Sequence, residues 1–342
     1  MMSLVIIVLV LCTNCFAGNS TTAESPANAT CIIETRTIMM GTEVKIKIDT
    51  DQSRNKVAID ALRRATLKMN SVVNAVSSWD PNSDTTKVND NAGIKPVKIN
   101  KELMAVLLEA KEISRLSDNA FDITFSPIAK LWKQAKEKNT LPTDGQIAET
   151  LKLIGSDNLI LDAKAETAFL KYKGMMLDLG GIAKGSVIDA AIESLKADGF
   201  DNVLVNAGGD LYGMCPISGE PWQIEVTNPK NPKGPAIGTL TIRNMAVVTS
   251  GDYEKYIEID GKRYNHIIDP RTGKSANQCI SVTVIAKKTS TADALATAFF
   301  ILGPQKAIAL CEKLPDTETA IIGIKGPVYY SSGFPIKFKI KN

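Results

Sequence analysis

The sequence contains one histidine, His266, which opens the run His266-Ile267-Ile268-Asp269-Pro270-Arg271-Thr272-Gly273. Histidine is the side chain whose unperturbed pKa lets it carry protons near neutral pH, so His266 is the obvious candidate for a general base. Asp269 could orient the loop, with Pro270 stiffening it and Gly273 closing the turn. Taken alone, an isolated histidine is more often an ordinary strand-end residue than a catalytic one. The case for His266 therefore depends on its neighbours.

A second group of polar residues lies in the segment Thr289-Ser290-Thr291-Ala292-Asp293-Ala294-Leu295-Ala296-Thr297. The hydroxyl side chains that precede Ala292 are good N-caps, which predicts that a helix begins there. Asp293 and Thr297 are four residues apart and therefore share one face of that helix. A carboxylate and a hydroxyl one turn apart offer the hard oxygen ligands that Mg²⁺ prefers. The alternative is that Asp293 complements the helix dipole and Thr297 faces solvent.

Two glycine-containing segments could approach a ligand closely. Asp178-Leu179-Gly180-Gly181-Ile182-Ala183-Lys184-Gly185 follows an apolar run and precedes a predicted helix. Its glycines would let a ligand reach the backbone, N–H groups at a helix start favour phosphate, and Lys184 would add a positive charge. A tight strand-to-helix turn explains the same residues without a ligand. For Asn206-Ala207-Gly208-Gly209-Asp210, between two strand-like segments, a bulge or close packing is the favoured interpretation.

Two aromatic residues could add a binding surface. Trp79, in Ser78-Trp79-Asp80-Pro81, follows the first predicted helix and could stack on a flat ring. Phe121, in Ala120-Phe121-Asp122-Ile123-Thr124, follows the second predicted helix. Burial in the core is the more common fate of aromatic residues and is the alternative for both.

Apolar periodicity predicts the elements that must position these residues. Helical spacing covers residues 57–76, 101–116, 188–195 and 292–302, the last closed by Gly303-Pro304. Short or alternating apolar runs predict strands at residues 44–48, 159–161, 168–170, 203–205, 222–226, 237–242, 246–248 and 281–286. Asp260-Gly261, between strands at 256–259 and 262–268, is the strongest hairpin signal in the chain. No linker interrupts residues 32–342, so the sequence predicts one α+β domain of mixed sheets and helices.

Length and composition are ordinary for a folded protein: 342 residues, of which 44% are hydrophobic and 23% are charged. The small net charge of +3, with no basic block that contains interleaved aromatics, argues against a nucleic-acid surface. Cys31, Cys215, Cys279 and Cys311 are too scattered for a metal or redox spacing, although they could pair in an oxidising compartment.

The N-terminus differs from the rest of the chain. Residues 1–17 carry no charge and residues 4–11 are all aliphatic, a hydrophobic stretch too short to span a bilayer as a helix. Cys15-Phe16-Ala17 suits cleavage near Ala17, so the sequence predicts a signal peptide at 1–17, a polar tether at 18–31, and export. Lipidation at Cys12 or Cys15 and a buried hydrophobic strand are the alternatives.

Together these segments resemble the ApbE family of FAD:protein FMN transferases. The matching blocks, in order along residues 37–305, are Met40-Gly41-Thr42; Ser78-Trp79 with Asn82-Ser83-Asp84; residues 120–124 with Pro127 and Leu131-Trp132; residues 178–185; residues 206–210; Thr249-Ser250-Gly251-Asp252-Tyr253; residues 266–273; and Ala292-Asp293 with Thr297. No single block is decisive, but eight in this order are highly specific, and residues 266–273 are the most diagnostic. The resemblance implies a single ApbE-like domain related to the T-fold.

The resemblance also implies a chemistry and a set of site residues. FAD is cut at its pyrophosphate, FMN passes to a threonine hydroxyl of a partner protein, and AMP leaves. Mg²⁺ is held by side chains that match Asp293 and Thr297 and by a backbone carbonyl at Gly181. Flavin contacts map onto Met40, Trp79, Ala120, Phe121, Asp122, Asp178, Lys184 and the start of the histidine block, His266 or Ile267.

The sequence departs from the commonest family pattern at two positions. Trp79 replaces a more usual tyrosine beside the flavin, which keeps stacking and loses a phenol hydrogen bond. Ala296 lies where some members carry another acidic ligand, so the metal could be held more loosely or a water molecule could fill that place.

The resemblance implies an exported enzyme, periplasmic or attached to the inner membrane facing the periplasm, whose acceptor is a threonine-bearing subunit of a membrane redox complex. An N-terminal lipid would add a membrane attachment. A Mg²⁺-dependent FAD pyrophosphatase that releases FMN and AMP, and a flavin-binding carrier without turnover, are the alternatives. His266 is then a general base, an orienting group or a flavin contact, and spacing alone does not separate these roles.

Overall fold

The secondary structure follows the apolar spacing of the sequence. The computed structural model describes residues 7–11, 30–252, 256–324 and 327–339. The helices are α1 (Asn55–Val76), α2 (Asp84–Asp90), α3 (Lys101–Leu116), α4 (Ser126–Glu137), α5 (Asp144–Leu151), α6 (Ala183–Ala197), α7 (Thr289–Leu302) and α8 (Pro304–Cys311). The strands are β1 (Ile7–Leu11), β2 (Thr30–Met39), β3 (Thr42–Asp51), β4 (Val97–Lys98), β5 (Leu159–Asp162), β6 (Thr167–Leu170), β7 (Val203–Ala207), β8 (Asp210–Met214), β9 (Trp222–Val226), β10 (Gly238–Ile242), β11 (Met245–Gly251), β12 (Tyr256–Ile259), β13 (Lys262–Asn265), β14 (Cys279–Ala286), β15 (Glu318–Gly323) and β16 (Val328–Tyr330).

A nine-stranded antiparallel sheet organises the molecule, in the order β1-β2-β3-β7-β8-β11-β14-β15-β16. The alternation predicted for β3 is present, because Val44, Ile46 and Ile48 all point into the core. Smaller sheets pair β9 with β10, β12 with β13, and β6 with both β4 and β5. The α+β class predicted from the sequence is confirmed.

The two faces of the large sheet bury different clusters. On one face, α1, α6 and α7 pack together and α7 contacts β11 and β14, so that Val248 and Val284 join the main core. Their neighbours in sequence, Val247 and Ile285, point to the other face and pack against the β9–β10 hairpin. The period of two in β11 and β14 therefore places one apolar layer on each side of the sheet.

A third, smaller cluster lies beside the main core. Its buried members come from α4, α5 and the β12–β13 region, and include Ile128, Trp132, Ile147, Ile259 and Ile268. The rings of Trp132 and Tyr264 meet with centroids 5.4 Å apart. This cluster lies directly behind the His266 block and supports it.

The predicted tether is shorter than the sequence suggested. The strand β2 begins at Thr30 and Cys31 is buried, so the last two residues assigned to the tether belong to the sheet. Within the predicted signal peptide, Ile7–Leu11 forms a strand that pairs antiparallel with β2. Residues 12–29, with the cleavage point near Ala17, lie outside the described residues, and cleavage stays a prediction.

Four cysteines, Cys31, Cys215, Cys279 and Cys311, are buried, and no two of them form a disulfide with each other. Burial raises the pKa of Cys279 and of Cys311 to about 12, which suppresses the reactive thiolate at neutral pH. No helix in the described part of the chain is long and apolar enough to cross a membrane.

Candidate active site

Residues from six segments surround one cavity of about 390 Å³. The segments are the loop after α1, the loop after α3, the glycine turn before α6, the end of β11, the His266 block and one face of α7. Of the twelve residues predicted from the sequence, eleven line this cavity: Trp79, Ala120, Phe121, Asp122, Asp178, Gly181, Lys184, His266, Ile267, Asp293 and Thr297. The exception is Met40, in the β2–β3 turn with a φ of 50°, whose flavin contact stays a prediction.

The helix that carries the predicted metal ligands begins earlier than expected. α7 starts at Thr289 after Lys288, which makes no side-chain cap, so the prediction that these hydroxyls cap a helix at Ala292 is wrong. Instead Asp189 of α6 accepts hydrogen bonds from the backbone N–H groups of Thr289 (2.7 Å) and Ser290 (2.9 Å). A carboxylate at this position satisfies N–H groups that have no partner within the helix and complements the helix dipole.

A second carboxylate reinforces the same helix start. Glu109 of α3 accepts from the hydroxyls of Ser290 (2.9 Å) and Thr291 (2.6 Å). The hydroxyls thus bind acidic partners on other helices instead of their own backbone. α3 and α6 together fix the first turn of α7, and with it the orientation of Asp293.

Asp293 and Thr297 face the cavity as the four-residue spacing predicted. Asp293 is only 4% exposed, and one carboxylate oxygen accepts from the N–H of Gly185 at 3.0 Å. A Cβ placed on Gly181 would lie 3.3 Å from the Thr297 hydroxyl, so the glycine turn and α7 almost touch. The Asp293 carboxylate, the Thr297 hydroxyl and the Gly181 carbonyl are hard oxygen donors, and this set fits Mg²⁺.

This donor set contains one carboxylate. Among the described residues, no three His, Cys, Asp or Glu side chains converge in a way that could hold a metal ion. Ala296 is fully buried and offers no oxygen, and the other carboxylates of the cavity lining, Asp122 and Asp178, already accept hydrogen bonds from loop atoms. A magnesium ion here would keep several waters or substrate phosphates as ligands, as Mg²⁺ commonly does.

α6 and α7 lie in close contact at Gly185. A Cβ at this position would lie 2.4 Å from the Thr289 carbonyl oxygen and 2.5 Å from the Ser290 nitrogen, and neither backbone atom can move aside. We therefore expect Gly185→Ala to lower the free energy of unfolding by about 1–3 kcal/mol, measured by chemical denaturation. Gly145→Ala is the matched control, since its nearest neighbour is 3.9 Å away. Equal stability of the two variants would show that α6 and α7 are not held this closely.

Lys184 is held in the cavity by a buried partner. Its ammonium lies 2.5 Å from a carboxylate oxygen of Asp210, whose side chain is 3% exposed. Gly208 and Gly209, both with positive φ, form the tight turn between β7 and β8 that brings Asp210 there. Burial raises the pKa of Asp210, and the nearby Lys184 opposes that rise. The segment 206–210, interpreted from sequence as structural, therefore also positions a cavity residue.

We expect Lys184→Met to lower the free energy of unfolding at pH 7 by roughly 2–4 kcal/mol, because it leaves the Asp210 carboxylate buried without its cation. Without Lys184 the pKa of Asp210 rises further in the folded protein, so the folded state takes up a proton more readily than the unfolded state. The loss should therefore shrink as the pH falls towards 4, and urea denaturation at both pH values measures it.

The control for this variant is Lys287→Met, which removes an exposed ion pair with Asp316 at 3.9 Å. It should cost less than about 1 kcal/mol at either pH. A loss for Lys184→Met that does not change with pH would contradict the assigned role of Asp210.

Asp122 and Asp178 line the cavity, but their carboxylates already bind neighbouring loop atoms. Asp122 accepts from the backbone N–H and hydroxyl of Thr124 (2.8 and 2.7 Å) and from the N–H of Ser156 (2.8 Å). Burial raises the pKa of Asp122, and these hydrogen bonds oppose the rise. Asp178 accepts from the N–H of Gly180 at 2.8 Å. Both residues therefore shape the loops that form the cavity wall.

The His266 block is fixed from behind by the third apolar cluster. Trp132 donates its indole N–H to the carbonyl of Gly273 at 2.8 Å. Gly273 has a φ of 68°, and a Cβ there would lie 2.6 Å from Ile147, so only glycine fits this turn. Asp269 binds Arg271 through both carboxylate oxygens (2.9 and 2.8 Å). The predicted roles of Asp269 and Gly273 in shaping the loop are confirmed, and half-buried His266 faces the cavity.

The two aromatic candidates have different environments. Trp79 is 83% exposed beside the cavity, so its ring is available to stack on a planar ligand. Phe121 is buried and belongs to the main core, and it contributes one edge of its ring to the lining. The binding interpretation suits Trp79 and the core interpretation suits Phe121.

Several residues of the site were missed from the sequence. Asp189, Glu109 and Asp210 act on cavity residues through contacts that join distant parts of the chain, and spacing carries no signal for such contacts. Thr249 and Ser250 line the cavity at the end of β11. Their signal was the Thr249-Ser250-Gly251 block, which the family resemblance included without assigning a role.

Several known proteins are similar to this chain in sequence and in fold. Residues 40–322 match the model of the ApbE family. A FAD:protein FMN transferase of Klebsiella pneumoniae is 34% identical over 257 residues, which cover 75% of this chain and 80% of that protein. One of Haemophilus influenzae is 32% identical over 298 residues, which cover 83% and 86%.

Solved structures of ApbE proteins are also similar to this chain in fold. The crystal structure of the ApbE protein of Thermotoga maritima superposes with a TM-score of 0.77 at 32% identity, covering 89% of this chain and 98% of that one. The flavin transferase ApbE of Vibrio cholerae superposes with a TM-score of 0.75 at 26% identity, with the same coverage. The matched region, 40–322, contains every site residue predicted from the sequence. The chain belongs to the ApbE family.

Proposed function

We propose that the protein transfers FMN from FAD to a threonine hydroxyl of an acceptor protein, in a Mg²⁺-dependent reaction that releases AMP. The observation that carries this proposal is the single cavity in which His266, Lys184, Asp293 and Thr297 meet beside exposed Trp79. It contains a candidate base, a phosphate-binding cation, a metal-ligand pair and a stacking surface. The relatives that carry the name FAD:protein FMN transferase support the same activity.

The proposed reaction is a phosphoryl transfer. The threonine oxygen attacks the phosphorus on the FMN side of the pyrophosphate and forms a new O–P bond, while the bond from that phosphorus to the AMP oxygen breaks. AMP leaves with the electron pair, and the threonine proton passes to His266. Such reactions depend mainly on positioning and on offsetting the charge that develops on phosphate oxygens.

The chain's own residues supply much of that positioning. Lys184 stands in the first turn of α6, at the positive end of the helix dipole, which favours phosphate, and the ion pair with Asp210 fixes its ammonium. Mg²⁺, when bound, would polarise a pyrophosphate oxygen and neutralise charge. Asp293, Thr297 and the Gly181 carbonyl are the groups that would hold it. Trp79 would orient the flavin ring by stacking.

The place of action is a proposal as well. The charge-free, aliphatic N-terminal segment supports export, to the periplasm or the periplasmic side of the inner membrane. An acceptor subunit of a membrane redox complex is the partner that suits such a location. Cleavage near Ala17 would be tested by N-terminal sequencing of the protein recovered from the producing cells.

Measuring AMP release from FAD with and without an acceptor protein tests the activity. A transferase releases AMP in proportion to the acceptor labelled. A FAD pyrophosphatase, the alternative predicted from the sequence, releases AMP and free FMN without an acceptor. A flavin carrier leaves FAD intact, and that result would refute catalysis.

A further inference from the structure

A second cavity, of about 800 Å³, lies next to the first and shares none of its lining residues. It contains three of the large hydrophobic side chains that the described surface exposes. Leu141 is 44% exposed, Tyr256 is 43% exposed and Ile324 is 51% exposed. Exposed apolar side chains gathered in a concave surface are typical of a binding site.

The two cavities lie on opposite sides of one wall. Consecutive residues at the end of β11 alternate between them, Gly251 lining the first and Asp252 the second. The same alternation occurs after β13, where Asn265 lines the second cavity and His266 the first. A ligand in the second cavity would therefore be separated from the candidate base by the thickness of one strand.

The chemistry of the second cavity does not suit a nucleotide. The charged residues in the described part of its lining are balanced, with Asp144 and Asp252 against Arg263 and Lys274. The Arg263 guanidinium already stacks on Tyr256, 3.6 Å from the ring centroid. Among the residues that the structure describes, no glycine lines this cavity, whereas the first contains a glycine turn and a helix N-terminus. A described lining with no net positive charge and no phosphate cradle disfavours an AMP group.

The same lining suits a polypeptide. Apolar side chains alternate with groups such as Asn265, Ser275 and Asn277, which can hydrogen-bond a peptide backbone. Its volume is within the range of about 300–1,000 Å³ that binds drug-sized ligands, and exceeds what a single side chain needs. A transferase with a protein substrate must hold chain on either side of the reacting threonine.

We propose that this second cavity, the acceptor groove, binds the segment of the acceptor protein that flanks its threonine. The inference rests on the proposed transferase function and names the surface that recognises its second substrate. The flanking segment lies in the groove, and the acceptor chain crosses the rim at Asn265 and His266 so that its threonine enters the FAD cavity.

The test introduces a charge on the exposed apolar surface of the groove. Ile324→Glu and Leu141→Glu should each raise the KM for the acceptor protein at least about tenfold, equivalent to about 1.4 kcal/mol of lost binding. The KM for FAD should change less than about twofold, because the groove shares no lining residue with the FAD cavity. Ile160→Glu, on β5, is the matched control, since Ile160 is also 51% exposed but lines neither cavity.

Each outcome has one meaning. If Ile324→Glu and Leu141→Glu have the same KM for the acceptor as the wild type and Ile160→Glu, the groove proposal is wrong and the proposed transferase function is unaffected. If these variants raise the KM for FAD and not the KM for the acceptor, the groove holds the adenine half of FAD. That result would also show that the groove proposal is wrong. Failure of the wild-type protein to label an acceptor would overturn the proposed function, and the groove with it.

Discussion

Replacing Asp293 with asparagine is expected to lower Mg²⁺-dependent cleavage of FAD by at least about 10²-fold, while the fold remains intact. The amide keeps the size of the side chain, and its oxygen can still accept from the Gly185 N–H. What is lost is the negative charge of the one carboxylate in the predicted metal site. Activity as a function of Mg²⁺ concentration, and the shift in melting temperature when Mg²⁺ is added, measure the effect.

Two comparisons make this prediction specific. Asp293→Ala would leave the Gly185 N–H buried without an acceptor, which costs about 1–3 kcal/mol, so only the asparagine variant separates metal binding from stability. Asp316→Asn is the control for removal of a carboxylate, since the Asp316 side chain is exposed and does not line the cavity. Wild-type Mg²⁺ dependence in Asp293→Asn would remove Asp293 from the metal site.

Replacing His266 with alanine is expected to slow transfer by about 10²–10⁴-fold, the usual contribution of a general base. FAD binding should change much less, because Trp79, Lys184 and the glycine turn remain. In the wild-type protein the rate should rise with pH as the imidazole loses its proton, since only neutral imidazole can accept one from threonine. The variant should lose this rise, and single-turnover rates across pH measure it.

The three roles left open for His266 give different results. A base predicts loss of rate with FAD affinity retained, and added imidazole should restore part of the rate. A flavin contact predicts that rate and FAD affinity fall together. An orienting group predicts a slower rate that keeps the wild-type dependence on pH. Either of the last two results would contradict assignment of His266 as the base.

Local sequence patterns predict local structure well in this chain. The helix predicted at residues 101–116 is α3 with the same ends, because apolar spacing agrees with the Asn100 side chain that caps it. The Asp260-Gly261 hairpin also forms, but β13 ends at Asn265 and not at Ile268, because the chain turns where His266 enters the cavity. α2, α4, α5 and α8 lie in segments for which no helix was predicted.

The start of α7 shows why part of the site could not be predicted. Hydroxyl residues before a helix are common caps, and the sequence offers three in a row. They fall inside the first turn instead, because Asp189 and Glu109 supply carboxylates from helices about 100 and 180 residues away in sequence. The partnership of Lys184 and Asp210 was missed for the same reason. Residue type and spacing identified the cavity residues, whereas the groups that fix them are known only after folding.

The most direct test of the proposed function is covalent labelling of an acceptor protein. The purified protein would be incubated with FAD, Mg²⁺ and a threonine-bearing acceptor, beside the same acceptor with that threonine changed to valine. We expect flavin fluorescence that stays with the intact acceptor after denaturation, with one AMP released for each flavin attached and no label on the valine form. Release of AMP with free FMN and an unlabelled acceptor would contradict transfer, and intact FAD would contradict catalysis altogether.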